Sequence, residues 1–189
     1  MSHSLDLSIP KAVEISTPAG SLCGLRWGTP GNSPILALHG WLDNAASFSA
    51  LAPLLDNSDI VALDLPGHGY SGYRSVGEQY HFIDYISTVL EAIKGLGWQR
   101  CYLLGHSLGA GIASFTAAAD PDRICGLFLI DGLGPHSEKA DNAATRLRKS
   151  IRKPANVGKS SLTTYASIET MIDARCRVGS INIRGARLL

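Results

Sequence analysis

The chain has 189 residues, 45% of them hydrophobic and 17% charged, with a formal net charge of +1. That is enough apolar material for one buried core, and the charge is too balanced for a chain built around nucleic-acid binding or acidic solvation. No apolar stretch reaches the roughly 18 residues that cross a bilayer, and residues 1–14 lack the apolar core of a secretory signal. Cys23, Cys101, Cys125 and Cys176 are scattered with no Cys-x-x-Cys pair, and no Asn-x-Ser/Thr sequon occurs. Buried, reduced thiols are therefore expected, with no metal, no cofactor and a cytoplasmic location. The chain ends Ala186-Arg187-Leu188-Leu189, so an Ala-Arg-Leu triplet that would suggest peroxisomal association stops one residue short of the terminus.

Glu14–Ile15 and Leu22–Trp27, joined through Pro18-Ala19-Gly20, read as an opening β-hairpin. Pro34–Leu38 is a short apolar run ending in His39-Gly40-Trp41-Leu42-Asp43-Asn44, and Asn44 caps a predicted helix carrying Phe48, Leu51, Leu54 and Leu55. Asp59–Leu63 is a second run, ending in Asp64-Leu65-Pro66-Gly67-His68-Gly69-Tyr70-Ser71-Gly72. Ile83, Ile86, Leu90 and Ile93 recur at three- and four-residue steps and predict an amphipathic helix between Gln79 and Leu96, with Gly95 and Gly97 as stop signals. Tyr102–Leu104 run into Gly105-His106-Ser107-Leu108-Gly109, a helix follows, and Ile124–Ile130 end in Asp131-Gly132-Leu133-Gly134-Pro135. Four strand-length apolar runs, each ending in a Gly-rich loop and separated by helical patterns, are the mark of a parallel sheet buried on both faces. Ligands of such sheets lie at the carboxyl ends of the strands, where all four motifs fall.

The five residues around Ser107 match the Gly-x-Ser-x-Gly elbow, a turn so tight that small residues are needed two before and two after the serine. With the His-Gly-Trp-Leu-Asp-Asn and Asp-Leu-Pro-Gly-His-Gly loops, residues 14–134 resemble the amino-terminal two-thirds of an α/β-hydrolase core, and within that superfamily the serine hydrolase-like proteins. The resemblance implies an α/β-hydrolase fold: a mostly parallel sheet opened by a β-hairpin, with the carboxyl-terminal strands missing. It implies Ser107 as nucleophile and the N–H groups of Leu108 and Trp41, the latter just after His39-Gly40, as oxyanion donors. It further implies a partial core over 1–135, the start of a helical cap over 136–172, and an atypical, disordered tail over 173–189, as in a truncated isoform.

A serine hydroxyl needs a positioned base, and in this superfamily the order is serine, acid, histidine, with the histidine well downstream. After Ser107 the only histidine is His136, too close behind the strand at Ile124–Ile130 to match the family position. His39 and His68 read as loop-shaping residues, His106 points away from its neighbour Ser107, and His3 and His81 read as surface or helix residues. Asp131 ends the strand after the elbow helix, a position from which some α/β-hydrolases take their acid; the competing reading is a loop aspartate satisfying its own backbone before Gly132. Removing the base of a serine triad costs about a million-fold in rate, so an elbow without one would be nearly silent.

Residues 138–189 hold 11 Lys or Arg against 4 Asp or Glu, whereas residues 1–137 hold 6 against 12. Asp141–Lys153 form a predicted helix with Ala144, Leu147 and Ile151 on one side, and its charges read as a solvated face rather than a nucleic-acid or lipid patch. Beyond Ile172 neither helical nor strand period is visible. If the missing strands would normally cover Ile124–Ile130, that strand is an exposed apolar edge open to a partner. Gly67–Gly72 matches Gly-x-Gly-x-x-Gly but begins at Pro66 inside the chain, and Gly158-Lys159-Ser160 lacks the earlier glycine of a phosphate loop, where Lys153 stands. Three functions stay open: a serine hydrolase acting on a small apolar ester or acyl substrate, a catalytically inactive relative serving as a binding module, and, favoured only by those glycines, a dinucleotide-dependent oxidoreductase.

Overall fold

Six strands build one sheet in a computed structural model that describes residues 9–18, 20–75, 78–134, 137, 139–152, 164–179 and 181–188. They are β1 (Lys11–Thr17), β2 (Gly20–Gly28), β3 (Ser33–Leu38), β4 (Ser58–Leu63), β5 (Cys101–His106) and β6 (Ile124–Ile130), in the order β1-β2-β4-β3-β5-β6. The hairpin β1–β2 is antiparallel and joins β4 antiparallel, whereas β4, β3, β5 and β6 run parallel. The chain leaves β3 for β4 on one side and later crosses to β5 on the other. The carboxyl end of β3 is thus a topological switch point, where a crevice opens between loops that diverge.

The apolar runs read as continuous because both faces are covered. On one face Leu36, Leu38, Val61, Leu63 and Leu103 pack with Val89, Ile93, Ile112 and Ala113 from helices α1 (Phe82–Gly95) and α2 (Leu108–Ala119). On the other, the alternate residues Ile35, Ala37, Ile60, Ala62 and Leu104 pack with Trp27, Ala45, Phe48 and Ala52. The period of two thus splits each strand between two cores. Arg26 closes the sheet's far end with a two-pronged ion pair to the buried Asp59, at 2.7 and 2.6 Å.

Two local expectations change. The helix predicted after Asn44 is instead two 3₁₀ turns, Ala45–Phe48 and Ala52–Leu54, although Asn44 does cap the first by accepting from the Ala46 N–H at 2.9 Å. Pro53 sits in the second turn, and its missing N–H prevents one continuous helix. The helix expected from Gln79 starts at Phe82, because Tyr80 is committed to the preceding loop: its hydroxyl accepts from the Arg74 N–H at 2.7 Å.

The carboxyl-terminal segment also departs from expectation. Where 173–189 was expected to be disordered, the structure has helix α4 (Ile168–Gly179) and a short helix α5 (Ile183–Ala186), with Asn182 capping α5 at 2.8 Å. Ile172 and Ala186 are buried, and this gives the segment its order. Helix α3 (Ala143–Arg152) leaves Leu147 and Ile151 exposed. Among the described residues β6 is a sheet edge, with Leu127, Phe128 and Ile130 partly exposed. No described helix is long and apolar enough to cross a membrane.

Candidate active site

Ser107 stands between β5 and α2 with φ 49° and ψ −107°, a backbone that L-residues rarely adopt. It persists because its surroundings over-determine it. Its N–H donates to the Ile130 carbonyl at 2.9 Å, and its carbonyl accepts from the N–H groups of Ala110 and Gly111 at 3.1 and 3.2 Å. The two flanking glycines are required by contact. A Cβ on Gly105 would lie 2.6 Å from the Ala110 Cα, and one on Gly109 would run into the Leu38 carbonyl and sit 2.9 Å from that of His39. Gly109 therefore lets the elbow press against the end of β3. Leu108 is the first residue of α2, where N–H groups have no intrahelical acceptor and carry the positive end of the helix dipole.

The loop after β3 meets the elbow. A Cβ on Gly40 would lie 3.6 Å from the Ser107 Cβ and 3.0 Å from His106 Nδ1, so only glycine fits comfortably there. The next residues form a turn closed by the Asp43 N–H donating to the Gly40 carbonyl at 3.3 Å. Its third residue, Leu42, has φ 59°. The Leu42 N–H donates to His68 Nε2 at 3.3 Å, and the Trp41 N–H, one residue earlier, makes no hydrogen bond among the described residues. Trp41 and Leu42 are exposed, and the Trp41 ring stands edge-on to His68 at 5.5 Å.

His39 and His68 are loop-shaping residues with assigned tautomers. The Leu65 N–H donates to His39 Nε2 at 3.0 Å, so the proton lies on Nδ1, which donates to the Gly40 carbonyl at 2.7 Å. Burial holds the His39 pKa down to about 4, with the Gly40 bond opposing and His68 reinforcing that shift. His68 is arranged alike, with Nε2 accepting from Leu42 and Nδ1 3.2 Å from the Pro66 carbonyl. Both ring nitrogens of each residue are occupied. Neither is available to take a proton from Ser107 in this arrangement.

Asp131 ends β6 with φ 55°, a conformation aspartate tolerates better than most residues. The loop it begins abuts the elbow: a Cβ on Gly132 would sit 3.4 Å from the Ser107 carbonyl oxygen. Asp131 and Ser107 thus occupy the carboxyl ends of adjacent strands. His136, the one downstream histidine in the sequence, lies outside the described residues, as does His3. The ring of His106 lies against Gly40, and His81 caps α1, its N–H donating to the Asp84 carboxylate at 3.1 Å.

Two contributors were not singled out from sequence. Asp64, buried at the end of β4, accepts from the Ala45 and Tyr70 N–H groups at 2.7 and 2.9 Å and so ties the loops after β3 and β4 together. Arg175 of α4 donates to the Leu42 carbonyl at 3.0 Å and to the Asp43 carboxylate at 2.8 Å. Ile168, Met171 and Ile172 at three- and four-residue steps are the signal for that helix. A cavity of about 680 Å³ lies away from Ser107, between the β1–β2 hairpin and the loop at Asp64–Tyr70, and another of about 180 Å³ lies between Leu42 and α4. Among the described residues no three acidic, histidine or cysteine side chains gather as metal ligands.

A strained serine at a strand–helix elbow, facing a glycine loop at a sheet switch point, is the architecture of a hydrolase-type α/β fold. The family profile described as alpha/beta hydrolase fold matches residues 33–155, and the chain belongs to that family. Among curated proteins it is 36% identical over 155 residues to a serine hydrolase-like protein of Danio rerio, covering 78% of this chain and 48% of that one. It is 42% identical over 123 residues to a probable serine hydrolase of Drosophila melanogaster, covering 64% and 37%. A crystal structure of the hypothetical protein PA1622 from Pseudomonas aeruginosa PAO1 superposes with TM-score 0.88 at 44% identity, covering 95% of this chain and 64% of that one. That coverage reaches past Ile172, so part of the segment expected to depart from the family lies within the likeness. The chain spans about half or less of the lengths of the two curated relatives named.

Proposed function

We propose that the site is that of a serine hydrolase cleaving a small apolar ester or acyl substrate. The observation that carries the reading is the left-handed Ser107, held by Gly105 and Gly109 against the Gly40–Trp41 loop. The Ser107 Oγ attacks the substrate carbonyl carbon and gives its proton to a base. The oxyanion is held by the N–H groups of Trp41 and Leu108. Collapse of the tetrahedral intermediate expels the alcohol, which takes the proton, and water then releases the acyl group by the reverse sequence. Asp131 orients the base. Exposed Trp41 and Leu42 favour an apolar acyl group, and the cap over residues 136–172 selects among substrates. Unpaired cysteines suit a reducing, cytoplasmic setting.

The base is His136 or a histidine contributed by residues outside this sequence. A second reading, an inactive relative acting as a binding module, is favoured by the engagement of both ring nitrogens in His39 and His68. Intact mass after fluorophosphonate treatment separates the two. One adduct, lost in Ser107→Ala, is the expected result for the hydrolase, and His136→Ala then tests the base. No adduct on cooperatively folded protein would leave the binding module.

A further inference from the structure

The turn that presents the Trp41 N–H is not self-supporting. Its closing bond is long, at 3.3 Å from the Asp43 N–H to the Gly40 carbonyl, and its third position holds a leucine at φ 59° where glycine is the usual occupant. The Cβ there favours relaxation to a negative φ, which would turn the Trp41–Leu42 peptide and shift the turn that presents Trp41 to Ser107. Groups from outside oppose this. His68 accepts from the Leu42 N–H on one side, and on the other the Arg175 guanidinium donates through Nη1 to the Leu42 carbonyl and through Nη2 to the Asp43 carboxylate. The Leu42 peptide groups are thus gripped at both ends, by residues 26 and 133 positions away.

We propose that Arg175 is a positioning residue for the oxyanion hole, through which helix α4 sets the geometry of the Gly40–Asp43 turn. The planar fork suits the task, because its two N–H groups reach a carbonyl and a carboxylate at once, which an ammonium group does less well. Ile172, buried one turn before Arg175, and Ala186 of α5 anchor the helix that carries it. The pair is not a general staple for the fold. Arg175 is 29% exposed and Asp43 14%, so solvent screens the attraction in part and the pair's share of global stability is modest. What the contact controls is local. The inference deepens the hydrolase reading and rests on Trp41 as an oxyanion donor.

The test uses the full chain as wild type, Arg175→Ala, Arg175→Lys and Asp43→Asn. Amide hydrogen exchange is followed over residues 39–46, and fluorophosphonate labelling of Ser107 is resolved into reagent affinity and maximal rate. In Arg175→Ala the expected result is exchange at Trp41–Asn44 faster by about tenfold, with a maximal labelling rate lower by about tenfold and unchanged reagent affinity. Arg175→Lys and Asp43→Asn fall between it and wild type, and all melt within a few degrees of wild type. Unchanged exchange and labelling in folded Arg175→Ala overturns the proposal. If Arg175→Ala does not fold, the milder pair decides, and wild-type behaviour in both overturns it. Absence of labelling in wild type defeats the hydrolase reading alone, and loop exchange still decides whether Arg175 holds the turn.

Discussion

The elbow at Ser107 and the turn at Gly40–Asp43 face each other, and both hold a non-glycine residue at positive φ, but they are held in opposite ways. The elbow is held by what is absent: without side chains at Gly105 and Gly109, β5 can turn directly into α2 against β3. The turn is held by what reaches it, side chains of His39, His68 and Arg175 that come from three parts of the chain. A strained geometry enforced by local backbone contact cannot relax without moving the sheet. One enforced by side chains can relax alone, and so can be tuned.

Breaking the elbow has the largest effect. Gly109→Ala gains helix propensity of about 1 kcal/mol, but its methyl group meets the Leu38 and His39 carbonyls, which are sheet backbone. The clash wins, with a net loss of about 3 kcal/mol in urea unfolding. An effect of similar size is expected from pH, through the other region. His39 titrates near 4 in the fold, because of its burial, and near 6.5 when unfolded. Protons then bind the unfolded chain more tightly, so stability is greatest above about pH 6.5 and declines down to about pH 4, by about 3 kcal/mol from this group. The urea midpoint measured across that range should lose this component in His39→Gln, which should also be less stable at pH 7, by about 2 kcal/mol, for its broken loop bonds.

Smaller effects sharpen the contrast. Ser107→Gly relieves the left-handed backbone and is expected to raise stability by about 1 kcal/mol while abolishing labelling; no gain in the melting midpoint would mean the elbow stores no strain. Leu42→Gly should gain somewhat less, about 0.5 kcal/mol, since a flexible glycine also adds entropy to the unfolded chain. It should also weaken the dependence of loop exchange on Arg175, because a glycine needs no clamp to stay at positive φ. An Arg175→Ala effect of equal size in both backgrounds would count against the distinction.

Much of the fold was legible because it depends on short-range pattern. Strands buried on both faces must be apolar throughout, so β3, β4 and β5 stood out as runs, as did β6 despite its exposure at the sheet edge, and α1 as a three- and four-residue period. The apolar spacing of Phe48, Leu51 and Leu55 predicts one helix after Asn44, and Pro53 breaks it into two turns. Within 173–179 the helix is hard to see because the apolar residues that mark α4, Ile168, Met171 and Ile172, all lie in its first half, and only Ile172 is buried.

At the site, sequence alone marked the positions that stand at the tight turns ending the strands. Gly105, Gly109 and Gly40 are local demands of backbone geometry, and the short motifs around them also mark Ser107 and Asp131 at strand ends. Tertiary structure decided how the described histidines are engaged and what holds the Gly40–Asp43 turn. His39 is neutral because burial holds its pKa down to about 4, His68 takes the Leu42 N–H beside that of Trp41, and Arg175 reaches Leu42 from 133 residues away. Hydrogen-bond partnership and burial depend on distances between segments, and such distances come into being only when the sheet has folded.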